Sequence, residues 1–144
     1  MANFAESPAG EPLPDDPAST APAGDVYDWY VRGRDLLSTG NAAAAVQILS
    51  RTVEAEPGAR SAREMLARAQ FDARQYREAR QGFAYLVERD PADHYAHFGL
   101  GLAARKLGDL AAAVEHLALA VAMRPDLERY ARELRAARAA AARR

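Results

Sequence analysis

A shift of 34 residues superimposes Pro57 on Pro91 and Pro125, and Val53 on Val87 and Val121. A chain with such a beat is a stack of one recurring supersecondary unit, because a unit that short cannot bury its own apolar face without a neighbour. The same shift aligns Ala45, Ala79 and Ala113, then Leu49, Phe83 and Leu117, then Gly33, Ala67 and Gly101. Small residues recur where two helices must cross closely, and the large apolar column fills the space beside the crossing. Proline closes each unit, since its ring and missing N–H cost about 3 kcal/mol inside a helix.

Between these marks the pattern is helical throughout. No β-branched or aromatic alternation suggests a strand, and no hairpin dipeptide falls at a useful place. The spacing predicts an all-α chain with helices over 25–39, 42–55, 59–72, 76–89, 92–107, 110–123 and 126–141. Asp25 stands where it can cap the first helix. After Pro125, Leu127, Tyr130, Leu134 and Ala137 or Ala141 form one apolar stripe, which suits a capping helix over the exposed end of the third unit.

Composition narrows the class. A hydrophobic fraction of 49% in 144 residues supports one packed domain, and the absence of cysteine removes disulfides and thiolate chemistry. No basic patch precedes an apolar run at the start, and no stretch approaches the roughly 18 apolar residues of a membrane span, so the expectation is a cytoplasmic chain. Lys106 is the only lysine beside abundant arginine and alanine, a bias typical of GC-rich bacterial genomes. Residues 1–25 hold five of the 20 acidic residues and none of the 19 basic ones. With Pro8, Pro12, Pro14, Pro17 and Pro22 among them, residues 1–24 read as a disordered acidic tail on a mildly basic body.

The aligned columns resemble the tetratricopeptide repeat, whose pattern runs from an aromatic through Leu-Gly and a Tyr to Ala, Phe and a closing Pro. The first unit supplies Trp29, Arg32-Gly33, Leu36, Ala45, Leu49 and Pro57. The third supplies His97, Leu100-Gly101, Ala104, Ala113, Leu117 and Pro125, with Gly108-Asp109 at its inner turn. The second departs most, with Arg63, Leu66-Ala67, Gln70, Ala79, Phe83 and Pro91, and with Arg74 where the others have Gly40 and Gly108. Local distortion of the solenoid is expected there. The resemblance implies a right-handed α-solenoid of antiparallel helix pairs, three units of 34 residues plus a cap, seven helices in all. The domain would span 25–141, with repeats over 26–59, 60–93 and 94–127, the cap over 126–141 and a basic end at 142–144.

In the first helix, Trp29, Gly33 and Leu36 share one face and Tyr27, Tyr30, Arg34 and Leu37 another. The resemblance implies that the second set lines a concave groove for a partner. Its equivalents are Ser61, Glu64, Arg68 and Phe71, then Tyr95, Phe98, Leu102 and Arg105, with Arg129 and Arg132 on the cap. Aromatic and arginine residues are enriched at binding hot spots, because rings offer area at low entropic cost and guanidinium makes forked hydrogen bonds. The competing reading packs these rings between neighbouring repeats and leaves the arginines solvated or paired to Glu64 and Asp72. Some family members clamp a chaperone's terminal carboxylates with Lys, Asn and Arg. Tyr30, Arg34, Met65, Tyr95 and Gly99 stand at those places, so that clamp is not reproduced.

Other chemistry is weakly supported. His94 and His97 have helical spacing, but no ligand set beyond surface Asp93 completes a metal site. Gly99-Leu100-Gly101 sits in mid-helix, without the strand a dinucleotide fingerprint needs. No nucleophile and base, carboxylate pair or phosphate loop emerges, so no cofactor and no catalysis are expected. The six arginines from Arg129 to Arg144 could touch phosphates, yet they wind around the helix rather than forming one stripe. The leading expectation is an adaptor that holds an acidic or amphipathic peptide or helix of another protein. A small chaperone for a specific client is the alternative, a nucleic-acid accessory the weaker one. A homo-oligomer is compatible with either.

Overall fold

The computed structural model describes residues 25–143, so the tail expected over 1–24 lies outside the described residues. Among the described residues there are seven α-helices and no strand: α1 (Val26–Ser38), α2 (Ala42–Ala55), α3 (Arg60–Asp72), α4 (Tyr76–Arg89), α5 (His94–Lys106), α6 (Leu110–Met123) and α7 (Glu128–Ala142). The fold is an all-α helical-repeat solenoid. The first helices α1, α3, α5 and α7 start at 26, 60, 94 and 128, and α2, α4 and α6 at 42, 76 and 110, so every step is 34 residues. The expected cap, placed at 126–141, therefore keeps the phase of a fourth unit's first helix.

Caps explain where the helices begin. Asp25 Oδ1 accepts from the Asp28 N–H at 3.0 Å, Asp93 Oδ1 from Ala96 at 3.0 Å and Asp109 Oδ1 from Ala112 at 3.2 Å. Each carboxylate satisfies a donor that the helix cannot. Asp93 is thus no ordinary surface residue. It is 6% exposed and starts α5 two residues later than the periodicity suggests.

The inner turns correct a second expectation. Gly40, Arg74 and Gly108 stand at matching places with φ of 86°, 64° and 85°. The next residue closes each turn in the same way: Asn41 N–H to Leu36 O at 2.8 Å, Gln75 to Gln70 at 2.8 Å and Asp109 to Ala104 at 2.9 Å. The second repeat's turn is therefore regular. Arg74 takes the left-handed conformation that glycine takes in its neighbours, because the flanking hydrogen bonds dictate it.

The chain divides into two compact units, Met1–Gln75 and Tyr76–Arg144. In the first, Tyr30, Leu37, Ala45, Val46, Leu49, Ala62, Met65 and Ala69 form the core. Gly33 lets α1 and α2 cross closely, since a Cβ there would stand 2.5 Å from Leu49. In the second, Gly101 does the same for α5 and α6, where a Cβ would meet Leu117 at 2.7 Å. The packing face read from spacing is confirmed: Trp29 lies under the Arg51 guanidinium of α2, 5.6 Å from its ring centre. No helix among the described residues is long and apolar enough to cross a membrane.

Candidate functional site

In each unit the first helices lie side by side, α1 against α3 and α5 against α7. The face they share is where the resemblance implied the groove. In the Met1–Gln75 unit, Tyr30 and Leu37 of α1 and Glu64, Arg68 and Phe71 of α3 are buried. Tyr27, at 37% exposure, and Arg34 are open. The Tyr30 hydroxyl hydrogen-bonds Ser61, and its pKa is pushed up first by burial and then by Glu64, against the opposing pull of Arg34, Arg68 and the Ser61 bond. Arg34 reaches Asp35 at 3.5 Å, but both side chains are more than half exposed, so the pair adds little.

Arg68 is different. Its guanidinium is covered, Nη1 donates to the Met65 thioether at 3.6 Å, and Nε has no hydrogen-bond partner among the described residues.

In the Tyr76–Arg144 unit, Tyr95, Phe98 and Leu102 are buried. The Phe98 ring stacks on Tyr130 of α7 at 4.4 Å, meets Tyr95 at 6.5 Å and carries the Arg129 guanidinium 5.1 Å from its centre. Arg105 is half-buried and pairs with Glu133 across to α7 at 3.2 Å. Arg132 is exposed. The residues that spacing assigned to one face are thus divided by depth. Tyr30, Leu37, Phe71, Tyr95, Phe98 and Leu102 make a packed floor, and Tyr27, Arg34 and Arg132, with parts of Arg105 and Arg129, remain accessible.

The histidines form pairs that spacing did not reveal. His94 Nδ1 lies 2.8 Å from the Tyr130 hydroxyl, and His97 Nδ1 lies 3.1 Å from His116 Nδ1. His97 Nε2 donates to the Pro91 carbonyl at 2.9 Å, because a carbonyl can only accept. In the neutral pair His97 Nδ1 must then accept from the His116 Nδ1–H. The pKa of His116 is lowered by burial and by facing His97, and that of His94 by burial and by Arg124. No group of three or more candidate metal ligands occurs among the described residues. One signal was legible: His97 and Arg63 replace the aromatic of Trp29, and each stands six residues after a repeat proline. Arg63 Nε donates to the Pro57 carbonyl at 2.6 Å, as His97 does to Pro91.

The arginines towards the C-terminus are partly committed within the chain. Arg135 pairs with Glu128 at 3.2 Å, and Arg124 forks onto Asp126 at 2.9 and 2.8 Å, holding that carboxyl down to about 2. Arg80 pairs with Asp109 at 2.8 Å and, with the Ala112 N–H, holds that carboxyl below its ordinary value.

Comparison with known proteins places these units. Solved structures of MamA resemble the chain: a double mutant of MamA RS-1 at 25% identity and TM-score 0.74, and residues 41 to the end of MamA from Desulfovibrio magneticus RS-1 at 25% and 0.73. Each match covers 78% of this chain, which spans 64% and 63% of those chains. The first TPR of Spaghetti (RPAP3), bound to the HSP90 peptide SRMEEVD, shares the fold at 19% identity and TM-score 0.75, over 81% of this chain and 93% of that one. No curated protein matches the sequence. The family profile described as tetratricopeptide repeat matches residues 30–74 and 64–128, and the chain belongs to that family of protein-interaction modules.

Proposed function

We propose that this chain is a non-catalytic, cytoplasmic adaptor that holds an acidic or amphipathic peptide segment of a partner protein against the first-helix faces of its repeats. Residues 25–141 act as its repeat domain and residues 1–24 as an acidic tail. The observation that carries the reading is the layering of those faces, in which exposed Arg34 and Tyr27 stand beside buried Tyr30, and exposed Arg132 lies on the α7 helix whose Tyr130 covers Phe98. Such a surface offers accessible cations over a preorganised floor, so binding orders only the exposed side chains. A neighbour of the same fold holds a peptide, which supports the class of ligand. That peptide itself does not transfer, because Tyr30, Met65, Tyr95 and Gly99 at the clamp places are buried and carry no cation.

The test is selection from a displayed random peptide library, followed by affinity measurements on substituted chains. Arg34→Glu with Tyr27→Ala, and separately Arg132→Glu, should weaken the selected peptides. Arg51→Glu, on α2, should not. Peptides that bind all these chains equally would remove the proposed faces from the reading. Tyr30→Ala and Phe98→Ala would probe packing instead, because both rings are buried.

A further inference from the structure

The Met1–Gln75 unit buries one edge of a cation with no hydrogen-bond partner among the described residues. Arg68 is 9% exposed, and its Nε has no hydrogen-bond partner among the described residues. Among the described residues Nη1 donates to the Met65 sulfur at 3.6 Å, a weak acceptor. Glu64, itself 6% exposed, stands one turn earlier on the same helix. A guanidinium stays charged at any ordinary pH, and a covered charge is retained at a cost unless something balances it. Tyr30 and Ser61 lie beside it on the α1/α3 face, and Arg34 of α1 adds a second, exposed cation.

We propose that Arg68 is the seat of a carboxylate subsite: an acidic side chain enters the α1/α3 face, accepts from Arg68 Nε, and is drawn in by Arg34 at the rim. This rests on the peptide-docking reading and names the ligand chemistry of one of its faces. A planar carboxylate matches the two parallel N–H donors on one edge of a guanidinium, and charge-assisted bonds are about twice as strong as neutral ones. Two sources carry that chemistry. One is the partner peptide, the other this chain's own residues Glu6, Glu11, Asp15 and Asp16, which are tethered to α1 through Asp25.

The experiment follows the arginine Nε–H signals by NMR, with Arg68 identified by the cross-peak that Arg68→Lys removes. Sodium glutarate is titrated into the full chain against sodium chloride at equal ionic strength, and again into a full-length E6Q/E11Q/D15N/D16N variant. A saturable downfield shift of the Arg68 signal with glutarate in both chains is the expected result and assigns the site to an external carboxylate. A signal already downfield in the native chain that moves upfield in the variant and then answers to glutarate also supports the subsite, and assigns its resident to the tail. An Arg68 signal that answers to glutarate in neither chain overturns it. Arg68→Met supplies a second arm. The free chain should keep or raise its melting temperature, since an apolar stem replaces a covered charge, and glutarate should no longer stabilise it. A melting temperature that falls while glutarate still stabilises would show Arg68 to be structural and overturn the proposal. Peptide selection that succeeds with binders indifferent to Arg68→Met would remove the subsite and leave the docking faces standing. Glutarate binding without any selected peptide would do the reverse.

Discussion

The buried Phe83 ring of α4 lies where a side chain on Gly99 of α5 would have to go: a Cβ at Gly99 would stand 2.5 Å from two ring carbons and 2.7 Å from a third. The matching places in the other repeats carry leucine at 49 and 117, so the glycine answers the larger ring. Gly99→Ala should therefore destabilise by about 1–3 kcal/mol, since a rigid, fully buried ring that also meets Tyr95 edge-on at 6.5 Å cannot easily swing aside. Adding Phe83→Leu should recover part of that loss, with a coupling of about 1 kcal/mol between the two sites. Urea midpoints of the four chains measure this, and strict additivity would show that the ring and the glycine do not constrain each other.

Arg74 offers the opposite case, a residue whose replacement by glycine should stabilise. Its φ of 64° costs an L-residue about 1–2 kcal/mol, and glycine gives back about 0.4–1 kcal/mol through its freer unfolded chain. Arg74 is exposed, so little packing is lost. Arg74→Gly should raise the melting temperature by about 3 °C. Gly40→Ala should lower it, although a Cβ at Gly40 meets nothing within 4 Å, because there the conformation and not the space is at stake. A lower melting temperature for Arg74→Gly would mean that the arginine side chain contributes more than its backbone costs.

These two sites show what the sequence makes legible. Phase was readable to the residue, because the columns at Gly33, Ala45, Leu49 and Pro57 each answer a local packing demand that recurs in every unit. Depth was not. Periodicity assigns Tyr30 and Arg34 to one face, but whether a side chain on that face meets solvent or a neighbouring first helix depends on how α1 meets α3, which spacing does not encode. The left-handed turn at Arg74 was masked for a related reason. Glycine marks such a turn when present, but hydrogen bonds such as Gln75 N–H to Gln70 O impose it when glycine is absent.

Stability should also fall in mild acid, and the direction follows from the two histidines whose pKa is lowered. His116 is depressed from 6.5 first by burial and then by His97, with Glu115 and Asp109 opposing and Arg80 assisting. The unfolded chain thus binds the proton more tightly than the folded one. The stabilisation is complete above pH 6.5 and is lost as the pH falls from there through the folded values. One added proton can sit on His116 Nε2 and leave the Nδ1–H to Nδ1 bond intact. His116→Gln should flatten the decline in melting temperature measured from about pH 7.5 to about pH 5, leaving the share contributed by His94, which has the same sign. An unchanged slope in that variant would move the acid sensitivity elsewhere.

The capping helix should depend on Tyr130 more than on any of its arginines. Tyr130 stacks on Phe98 at 4.4 Å and 22°, and its hydroxyl lies 2.8 Å from His94 Nδ1, so one side chain ties α7 to both the ring and the start of α5. Tyr130→Phe keeps the stack and should cost about 1 kcal/mol, the worth of one buried hydrogen bond. Tyr130→Ala removes the stack as well and should cost about 3–5 kcal/mol. Because α7 packs only on α5 and α6 among the described helices, that loss should appear first as faster hydrogen exchange within Glu128–Ala142, ahead of any change in α1 and α2. Arg129→Ala removes the cation 5.1 Å from the Phe98 ring centre and should cost about 0.5–1 kcal/mol without altering exchange in α5. If Tyr130→Ala instead raised exchange equally in all seven helices, α7 would be an integral part of one cooperative unit rather than a lid over Phe98.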